Sequence, residues 1–328
     1  MLKRLIILLV LFLLRLFHLG QLSAQQIPSS EENIPYLVTF GSDSKTSWGD
    51  DDFCQIFFFI IPKDQNKPVF LRVFDPETGG SIDEIKEIPN TKTSFSVYGG
   101  VGAFTHNDAQ KEQPNGNYKS GIELAKKVFT NQAEYNEKWY TFGPFNPAEG
   151  ELVPEHGGYV LKVVIQGLSG NDGNLYKMFL SQNPASNIKV EGANSLTFEY
   201  SFRLNDKAGS VSHIYPFIGE DVVSIKIHTF DYDSDGVVRI ISVAKRYEPV
   251  NVSSDNEWRY SMHKISEEER KKSLDIQMIK TVQIKDNNIV FYITNQYDKL
   301  LPFYTSPIGG APKYKPTIGV RPGITPSK

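Results

Sequence analysis

Cysteine is almost absent from this chain of 328 residues, which contains a single one, Cys54. One thiol excludes an intramolecular disulfide, so the fold must be held by its apolar core and by any metal ions that it binds. Cys54 stands in the apolar run "FCQIFFFII". We expect a buried thiol in a core strand, and a catalytic nucleophile is the alternative.

An excess of positive charge is missing too. Lysine and arginine number 35 against 38 acidic residues, and the formal net charge is -3. A protein that binds nucleic acid carries a basic stripe, so the composition argues against that class. After the first 24 residues no apolar run approaches the length of a membrane span. We therefore expect a mature chain without a transmembrane span.

The short motifs of common enzyme classes are also lacking. The sequence has no G-x-S-x-G, H-E-x-x-H or C-x-x-C motif, no P-loop and no G-x-G-x-x-G. The histidines beyond the first 24 residues are scattered, without the short spacing of a metal site: His106, His156, His213, His228 and His263. A glycosidase with two carboxylates stays open because any acidic side chains can meet in space. Nothing selects such a pair, and the sequence favours a protein without catalysis.

The one long apolar run lies at the N-terminus. Lys3 and Arg4 precede an apolar stretch from Leu5 to Leu14, and small residues follow at Ser23-Ala24. This layout is typical of a secretory signal peptide. A membrane anchor is the alternative, but the stretch is short for a bilayer and Arg15 interrupts it. We expect residues 1–24 to be cleaved and the protein to be exported to the periplasm, the cell surface or the medium.

Strand-forming and turn-forming residues are plentiful. The chain has 21 Phe and 16 Tyr, and its 25 Gly and 19 Pro separate short apolar runs, a pattern that favours strands. The sequence predicts an all-β protein built from two β-sandwich domains of jelly-roll or immunoglobulin-like type. The predicted segments are a linker at 25–33, a first sandwich at 34–185, a second at 190–308 and an extended tail at 309–328.

Two segments are ambiguous. "SGIELAKKVFTNQAEYNEKW" fits either a short helix or an alternating strand, and we favour the strand. "SEEERKKSLD" is almost entirely charged, and Ser266 and Glu269 have the spacing of a capping box. We expect a solvated turn of helix or a loop there.

The motif "DYDSDGV" places carboxylates at alternate positions, as an EF-hand does: Asp231, Asp233 and Asp235, with Val237 where a backbone carbonyl would bind. The twelfth position is Ser242, which cannot supply a bidentate carboxylate. The preceding "VVSIKI" alternates like a strand, so an EF-hand is excluded. We expect a β-hairpin loop that binds a structural Ca²⁺, because a hard cation relieves the repulsion between clustered carboxylates. A solvated acidic hairpin without metal is the alternative.

Three stretches resemble the bacterial pre-peptidase C-terminal family of β-sandwich modules: "DDDFCQIFFFIIP", "PVFLRVFDPETGGSIDE" and "GGYVLKVVIQGLSGNDGNLYKMFLS". The matching positions are Asp51 and Asp52, then Asp75, Gly79 or Gly80 and Asp83, and finally Tyr159 and Tyr176. The segment between Tyr98 and Trp139 is longer than the family usually carries. With the signal peptide, the chain looks like an exported protein of Bacteroidota.

This resemblance implies a function and a second set of calcium ligands. Such modules generally accompany secreted enzymes as non-catalytic appendages, and some bind calcium through acidic residues in turns. The positions that carry over are Asp51, Asp83 and Glu84. The resemblance therefore implies a structural Ca²⁺ in the first sandwich as well.

Aromatic side chains are the remaining candidates for ligand binding. Trp48, Trp139 and Trp258 stand beside turn signals, and aromatic faces bind sugars and peptides; burial in the core is the alternative. We expect an exported, non-catalytic binding or adhesion-type accessory protein with calcium-stabilised loops, whose partner is a glycan or a protein at the cell surface. The alternatives are a secreted glycan or peptide hydrolase and a structural component of a surface or secretion assembly.

Overall fold

The computed structural model describes residues 25–110, 118–233 and 236–309. The prediction of an all-β protein is confirmed. The strands are β1 (Gln26–Ile27), β2 (Tyr36–Phe40), β3 (Cys54–Pro62), β4 (Val69–Phe74), β5 (Lys92–Gly99), β6 (Ile122–Phe129), β7 (Trp139–Phe145), β8 (Glu151–Val153), β9 (Gly158–Ser169), β10 (Gly173–Ser181), β11 (Asn194–Thr197), β12 (Glu199–Arg203), β13 (Val211–Ile214), β14 (Phe217–Ile218), β15 (Ser224–Phe230), β16 (Gly236–Ile241), β17 (Glu248–Val250), β18 (Trp258–Lys264), β19 (Lys272–Ser273), β20 (Asp275–Lys280), β21 (Asn288–Asn295) and β22 (Phe303–Tyr304).

Helical structure within the described residues is limited to four short 3₁₀ turns, at Thr46–Trp48, Pro147–Glu149, Pro154–His156 and Glu267–Glu269. None of the helices found in the described part of the chain has the length and apolar character needed to cross a membrane. The predicted signal peptide and all of the predicted tail except Gly309 lie outside the described residues.

The strands of the described residues form two large antiparallel sheets and two small ones. The largest runs β18-β15-β21-β12-β2-β10-β4-β7, with β1 attached to β10. The second runs β22-β11-β3-β9-β5-β6, with β8 attached to β9. A four-stranded sheet, β13-β20-β16-β17, and the pair β14-β19 complete the fold. This arrangement agrees with the predicted β-sandwich architecture.

The largest of four clusters of buried apolar side chains in the described residues lies between these sheets, because alternate side chains of each strand point to the same side. Phe57 and Phe59 of β3 enter it from the second sheet, and Tyr176 of β10 enters it from the largest sheet. Ile240 and Ile276 of the four-stranded sheet belong to the same cluster of buried side chains. Cys54 is buried, as predicted.

The predicted domain boundary falls between β10 and β11. The strands on its two sides share both large sheets, since β2 pairs with β12 at Leu37 and Phe202, and β3 pairs with β11 at Phe58 and Leu196. The division into two sandwich domains stays a prediction about folding units, which unfolding experiments can test.

The structure decides the two ambiguous segments. The first contains β6, an edge strand, so the preference for a strand is confirmed. The second forms a single 3₁₀ turn, in which Ser266 N donates a hydrogen bond to Glu269 Oε2 at 2.8 Å. The expected solvation is wrong for Glu269, which is fully buried. Lys245 Nζ and Ser242 Oγ both donate to its carboxylate and offset the cost of its burial.

Candidate functional site

The outer face of the largest sheet carries the candidate site. Ile225 and Ile227 of β15 point into the core, so the residues between and beyond them point outward. His228 pairs with Tyr260 of β18 on one side and with Tyr292 of β21 on the other. The strand order β18-β15-β21 therefore brings three aromatic rings side by side on one open face.

Five rings form a continuous row, which we call the aromatic strip: Phe230, Trp258, Tyr292, His228 and Tyr260. Centroid distances are 5.2 Å from Phe230 to Trp258 and 5.1 Å from Trp258 to Tyr292. Tyr292 stacks on His228 at 4.2 Å with an interplanar angle of 12°. The His228 ring lies 5.9 Å from that of Tyr260. These spacings are those of attractive ring pairs.

The strip is open to solvent along β18. Trp258 is 36% exposed, Tyr260 is 59% exposed, and Met262, the next outward residue, is 63% exposed. Neighbouring outward residues on one strand are about 7 Å apart, so these side chains extend the apolar surface along the strand. Contiguous exposed apolar surface of this kind usually marks an interaction site.

The other two predicted tryptophans are engaged within the protein. Trp48 packs on Phe40 at 5.9 Å, and Lys86 Nζ lies 4.0 Å from its ring centroid. The Arg72 guanidinium lies 5.0 Å from the ring centroid of Trp139. Both rings are half-buried. Of the three predicted ligand-binding tryptophans, Trp258 has the most accessible ring.

Polar groups accompany the strip. His228 Nε2 lies 3.2 Å from Thr294 Oγ1. Burial, together with the charge of Lys226, lowers the pKa of His228 to about 4. The imidazole is therefore neutral at physiological pH and keeps one nitrogen as a hydrogen-bond acceptor. Lys226 Nζ donates to Asp298 Oδ1 at 2.6 Å beside it. The surface thus combines apolar ring faces with polar groups at their edges.

The acidic loop follows the strip directly. Asp231 comes immediately after Phe230, and Asp231, Asp233 and Asp255 each offer an oxygen within 4.8 Å of the others. Asp231 is buried, and its Oδ1 accepts a hydrogen bond from Asn256 N at 2.6 Å. Burial, reinforced by the charges of the other two carboxylates, raises the pKa of Asp231 to about 7. An oxygen-only set at this spacing fits Ca²⁺, whose ligands lie at about 2.3–2.6 Å.

The expected hairpin at this loop is wrong. β15 pairs with β18 and β21, whereas β16 pairs with β17 and β20 in the four-stranded sheet. The loop therefore crosses from one sheet to the other, and the buried apolar residues of β15 and β16 belong to one core cluster. The connection from β17 to β18 makes the same crossing, and this brings Asp255 beside Asp231.

Val237 and Asp235 are the other two predicted ligands of this loop. Val237 lies in β16, where it pairs with Ile279. Asp235 lies outside the described residues. Asp255 was missed because it stands 24 residues after Asp231, and local spacing gives no signal of that contact.

The ligands implied by the family resemblance lie in separate surroundings. Asp51 belongs to a run in which Asp50 accepts hydrogen bonds from Phe40 N and Phe53 N, at 2.7 and 2.9 Å. Its other neighbour, Asp52, accepts from Cys54 N at 2.9 Å. Burial raises the pKa of Asp50 to about 8. The run offers three oxygens within 4.8 Å, but two of its carboxylates already hold the backbone of the turn.

The carboxylate of Glu84 is paired with two cations, since Arg203 and Lys86 donate hydrogen bonds to it. The neutral amide of Asn288 donates to it as well. Asp83 instead accepts from backbone N–H groups, including that of Leu175 at 2.8 Å. Within the described residues, Asp51, Asp83 and Glu84 do not form a common three-ligand cluster.

Comparisons with protein-family models, with curated proteins and with solved structures found no match. The functional proposal therefore depends on the geometry of the side chains described above.

Proposed function

We propose that this chain is an exported, non-catalytic binding module that holds a glycan chain on the aromatic strip, with calcium ordering the adjacent acidic loop. The observation that carries the proposal is the continuous row of rings, in which Trp258 and Tyr260 are exposed and accessible to a ligand, while His228 and Tyr292 are half-buried and Phe230 is buried. Large exposed rings of this kind are costly for solubility unless they serve binding.

The chemistry of the strip favours a sugar polymer over other partners. Sugar rings present flat C–H faces that stack on aromatic rings, and their hydroxyl groups form hydrogen bonds at the ring edges. The strip supplies both, since Trp258 and Tyr260 offer faces while His228 and Thr294 offer polar atoms. A row of rings across neighbouring strands of one sheet suits an extended chain more than a small ligand, which is usually enclosed on most sides.

Calcium is the second part of the proposal, and the position of the acidic loop supports it. Asp231 follows the last residue of β15, and Asp255 stands three residues before Trp258. A cation shared by the two carboxylates ties the end of β15 to the start of β18. That bond fixes the backbone from which the Trp258 ring projects, so calcium is expected to improve glycan binding by ordering the strip.

Export is the third part, and it is supported by the predicted signal peptide at 1–24. Extracellular calcium reaches concentrations that fill sites with dissociation constants of about 10⁻⁴ to 10⁻³ M. A weak site made of three carboxylates is therefore sufficient. The resemblance to accessory modules of secreted enzymes agrees with a role in attaching a protein to a polymer.

The test is retention of the mature chain on insoluble polysaccharides (cellulose, chitin, xylan and peptidoglycan), together with a glycan array. We expect retention on at least one of them, and loss of most of it in Trp258→Ala and in Tyr260→Ala. The matched controls are Trp139→Ala, which removes a ring that a cation covers, and Tyr247→Ala, whose side chain is also exposed but lies outside the strip. Absence of binding throughout, or equal binding by all variants, would refute the proposal.

A further inference from the structure

A second group of acidic side chains lies where the connection from β4 to β5 meets the connection from β6 to β7. Asp75 and Glu77 are almost fully buried, and Asp83 is half-buried. Burial raises the pKa of all three, and the charges that raise the values further belong to other carboxylates. Within the described residues no ion pair joins any of the three to a lysine, arginine or histidine. Negative charge is thus concentrated there without a countercharge from the protein.

Two consecutive glycines, Gly79 and Gly80, let oxygens from different parts of the chain converge. A Cβ on Gly80 would lie 1.8 Å from Asn136 Oδ1 and 3.2 Å from Glu77 Oε1, so any side chain there would displace these atoms. Asp83 Oδ2 accepts hydrogen bonds from the two glycine N–H groups at 2.8 and 3.3 Å. We call this region the glycine pocket, and its residues are Asp75, Glu77, Gly79, Gly80, Asp83 and Asn136.

Four buried oxygens in and beside the glycine pocket have no hydrogen-bond partner among the described residues: Asp75 Oδ2, Thr78 Oγ1, Asn136 Oδ1 and Asn174 Oδ1. Asp75, Thr78 and Asn174 are themselves fully buried. The other polar atoms of two of them are fixed, since Asp75 Oδ1 accepts from Glu137 N at 2.6 Å and Asn174 Nδ2 donates to Pro76 O at 2.9 Å. Folded proteins rarely leave buried acceptors unsatisfied. These oxygens therefore indicate a bound ligand that their lone pairs can coordinate, such as a cation.

We propose that the glycine pocket binds a divalent cation, Ca²⁺, through Asp75, Glu77 and Asn136, with Asp83 contributing charge beside it. The donors are carboxylate and amide oxygens in an irregular arrangement, which Ca²⁺ accepts more readily than Mg²⁺ does. Three carboxylates of the described residues converge within 4.8 Å only at Asp50–Asp52 and at Asp231, Asp233 and Asp255. Amide oxygens therefore have to complete the coordination in the glycine pocket.

This site shares no residue with the acidic loop and does not depend on the proposed glycan binding. Asp75, Gly79, Gly80 and Asp83 are among the positions that match the pre-peptidase family, but of the calcium ligands that this resemblance implies, only Asp83 lies here. A cation in the glycine pocket would join the β4–β5 and β6–β7 connections to the start of β10, where Leu175 N donates to Asp83. It would thereby stabilise the end of the largest sheet that β10, β4 and β7 form. The aromatic strip lies at the other end of that sheet, on β18, β15 and β21.

The experiment is a titration of the chelator-treated full chain with CaCl₂, followed by calorimetry and by Tm. It is carried out in an Asp231→Asn/Asp255→Asn background, in which the acidic loop keeps only the carboxylate of Asp233 from its cluster of three. We expect this chain to bind calcium and to gain Tm. Addition of Glu77→Gln should abolish both responses while leaving the calcium-free Tm unchanged or higher, because the substitution removes repulsion and keeps the shape. The matched control is Glu134→Gln, an exposed carboxylate of the β6–β7 connection, which should keep both responses.

A second variant tests the geometry without changing charge. Gly80→Ala should weaken calcium binding at least tenfold, because the new methyl group displaces Asn136 Oδ1. The proposal is overturned if the background chain does not respond to calcium, or if Glu77→Gln or Gly80→Ala binds it as before; the pocket would then hold water only. If the acidic loop binds no calcium, the wild-type chain should show a single site that Glu77→Gln removes, so the two proposals fail separately.

Discussion

Glu269 is the residue at which local sequence was least informative. A run of charged residues predicts solvent exposure, yet the Glu269 side chain is fully buried. Lys245 and Ser242, which donate hydrogen bonds to it, stand 24 and 27 residues earlier. Burial alone would raise the pKa of Glu269, but these donors and Ser266 N outweigh it and lower the pKa. Only the folded chain brings the partners together, so spacing within the run could not predict the contact.

The buried ion pair between Lys245 and Glu269 gives a stability prediction. Lys245→Met leaves the Glu269 carboxylate buried without its countercharge, and we expect a loss of about 3 kcal/mol in the free energy of unfolding. Urea denaturation measures it. The control is Lys271→Met, which breaks the exposed pair between Lys271 and Glu220 and should cost less than about 1 kcal/mol. Equal losses in the two variants would show that the buried pair carries no special weight.

Glu32 gives a prediction about pH. Its carboxyl group is fully buried and accepts hydrogen bonds from Ser29 N at 2.6 Å and from Tyr200 OH at 2.8 Å. Burial raises the pKa of Glu32 to about 8, well above the value of about 4.3 in the unfolded chain. The protonated Glu32 carboxyl group therefore makes its full contribution to the free energy of unfolding at pH values below the unfolded pKa. This contribution is lost as the pH rises through the folded pKa, with a slope of up to about 1.4 kcal/mol per pH unit.

Glu32→Gln cannot ionise, so it should remove this part of the pH dependence. We expect the variant to gain stability relative to the wild type between pH 5 and pH 8, as measured by urea denaturation at each pH. Parallel pH profiles of the two proteins would contradict the raised pKa.

At the scale of elements, alternation along strands was predictable and the connections were not. The period-two pattern of "VVSIKI" correctly predicted a strand, β15, in which Ile225 and Ile227 are buried. The loop after β15 was expected to close a hairpin, because two apolar runs flank a turn. Two apolar runs on either side of a turn occur both in a hairpin and in a connection that crosses between two sheets. Only the packing across the core distinguishes these two structures. The contribution of Asp255 follows from that crossing and could not be predicted from the sequence.

The acidic loop gives a prediction about calcium. At a hundredfold excess over Kd, one bound ion adds about 2.7 kcal/mol to the free energy of unfolding. We expect calcium to raise the Tm of the chelator-treated chain, and Asp255→Asn to reduce that rise. The control is Asp221→Asn, an exposed carboxylate on another loop. An undiminished rise in Asp255→Asn would exclude the acidic loop as a calcium site.

At the scale of the whole molecule, composition was enough to predict an all-β sandwich architecture, because turn residues and strand formers alternate along the chain. The way in which the sheets are shared was not predictable. Pairings such as Leu37 with Phe202 connect residues 165 positions apart, and such contacts depend on the complete fold. Residues 34–185 alone would leave β2 and β3 without their partners β12 and β11.

Shared sheets predict a single unfolding transition. Trp48 and Trp139 report on the part before the boundary, and Trp258 reports on the part after it. Chains that retain one tryptophan each, with the others replaced by phenylalanine, should unfold in urea with coincident midpoints. Separate midpoints for Trp139 and Trp258 would instead support two independent domains.

The most direct test of the glycan proposal is the fluorescence of Trp258 in a chain that carries Trp48→Phe and Trp139→Phe. The titrant is a soluble oligosaccharide from whichever polysaccharide retains the wild-type protein. We predict a shift in emission and weaker quenching by acrylamide as the sugar covers the ring, with a lower midpoint in calcium than in chelator. Binding that leaves both the emission and the quenching of Trp258 unchanged would contradict the account, because the ligand would then lie away from the aromatic strip.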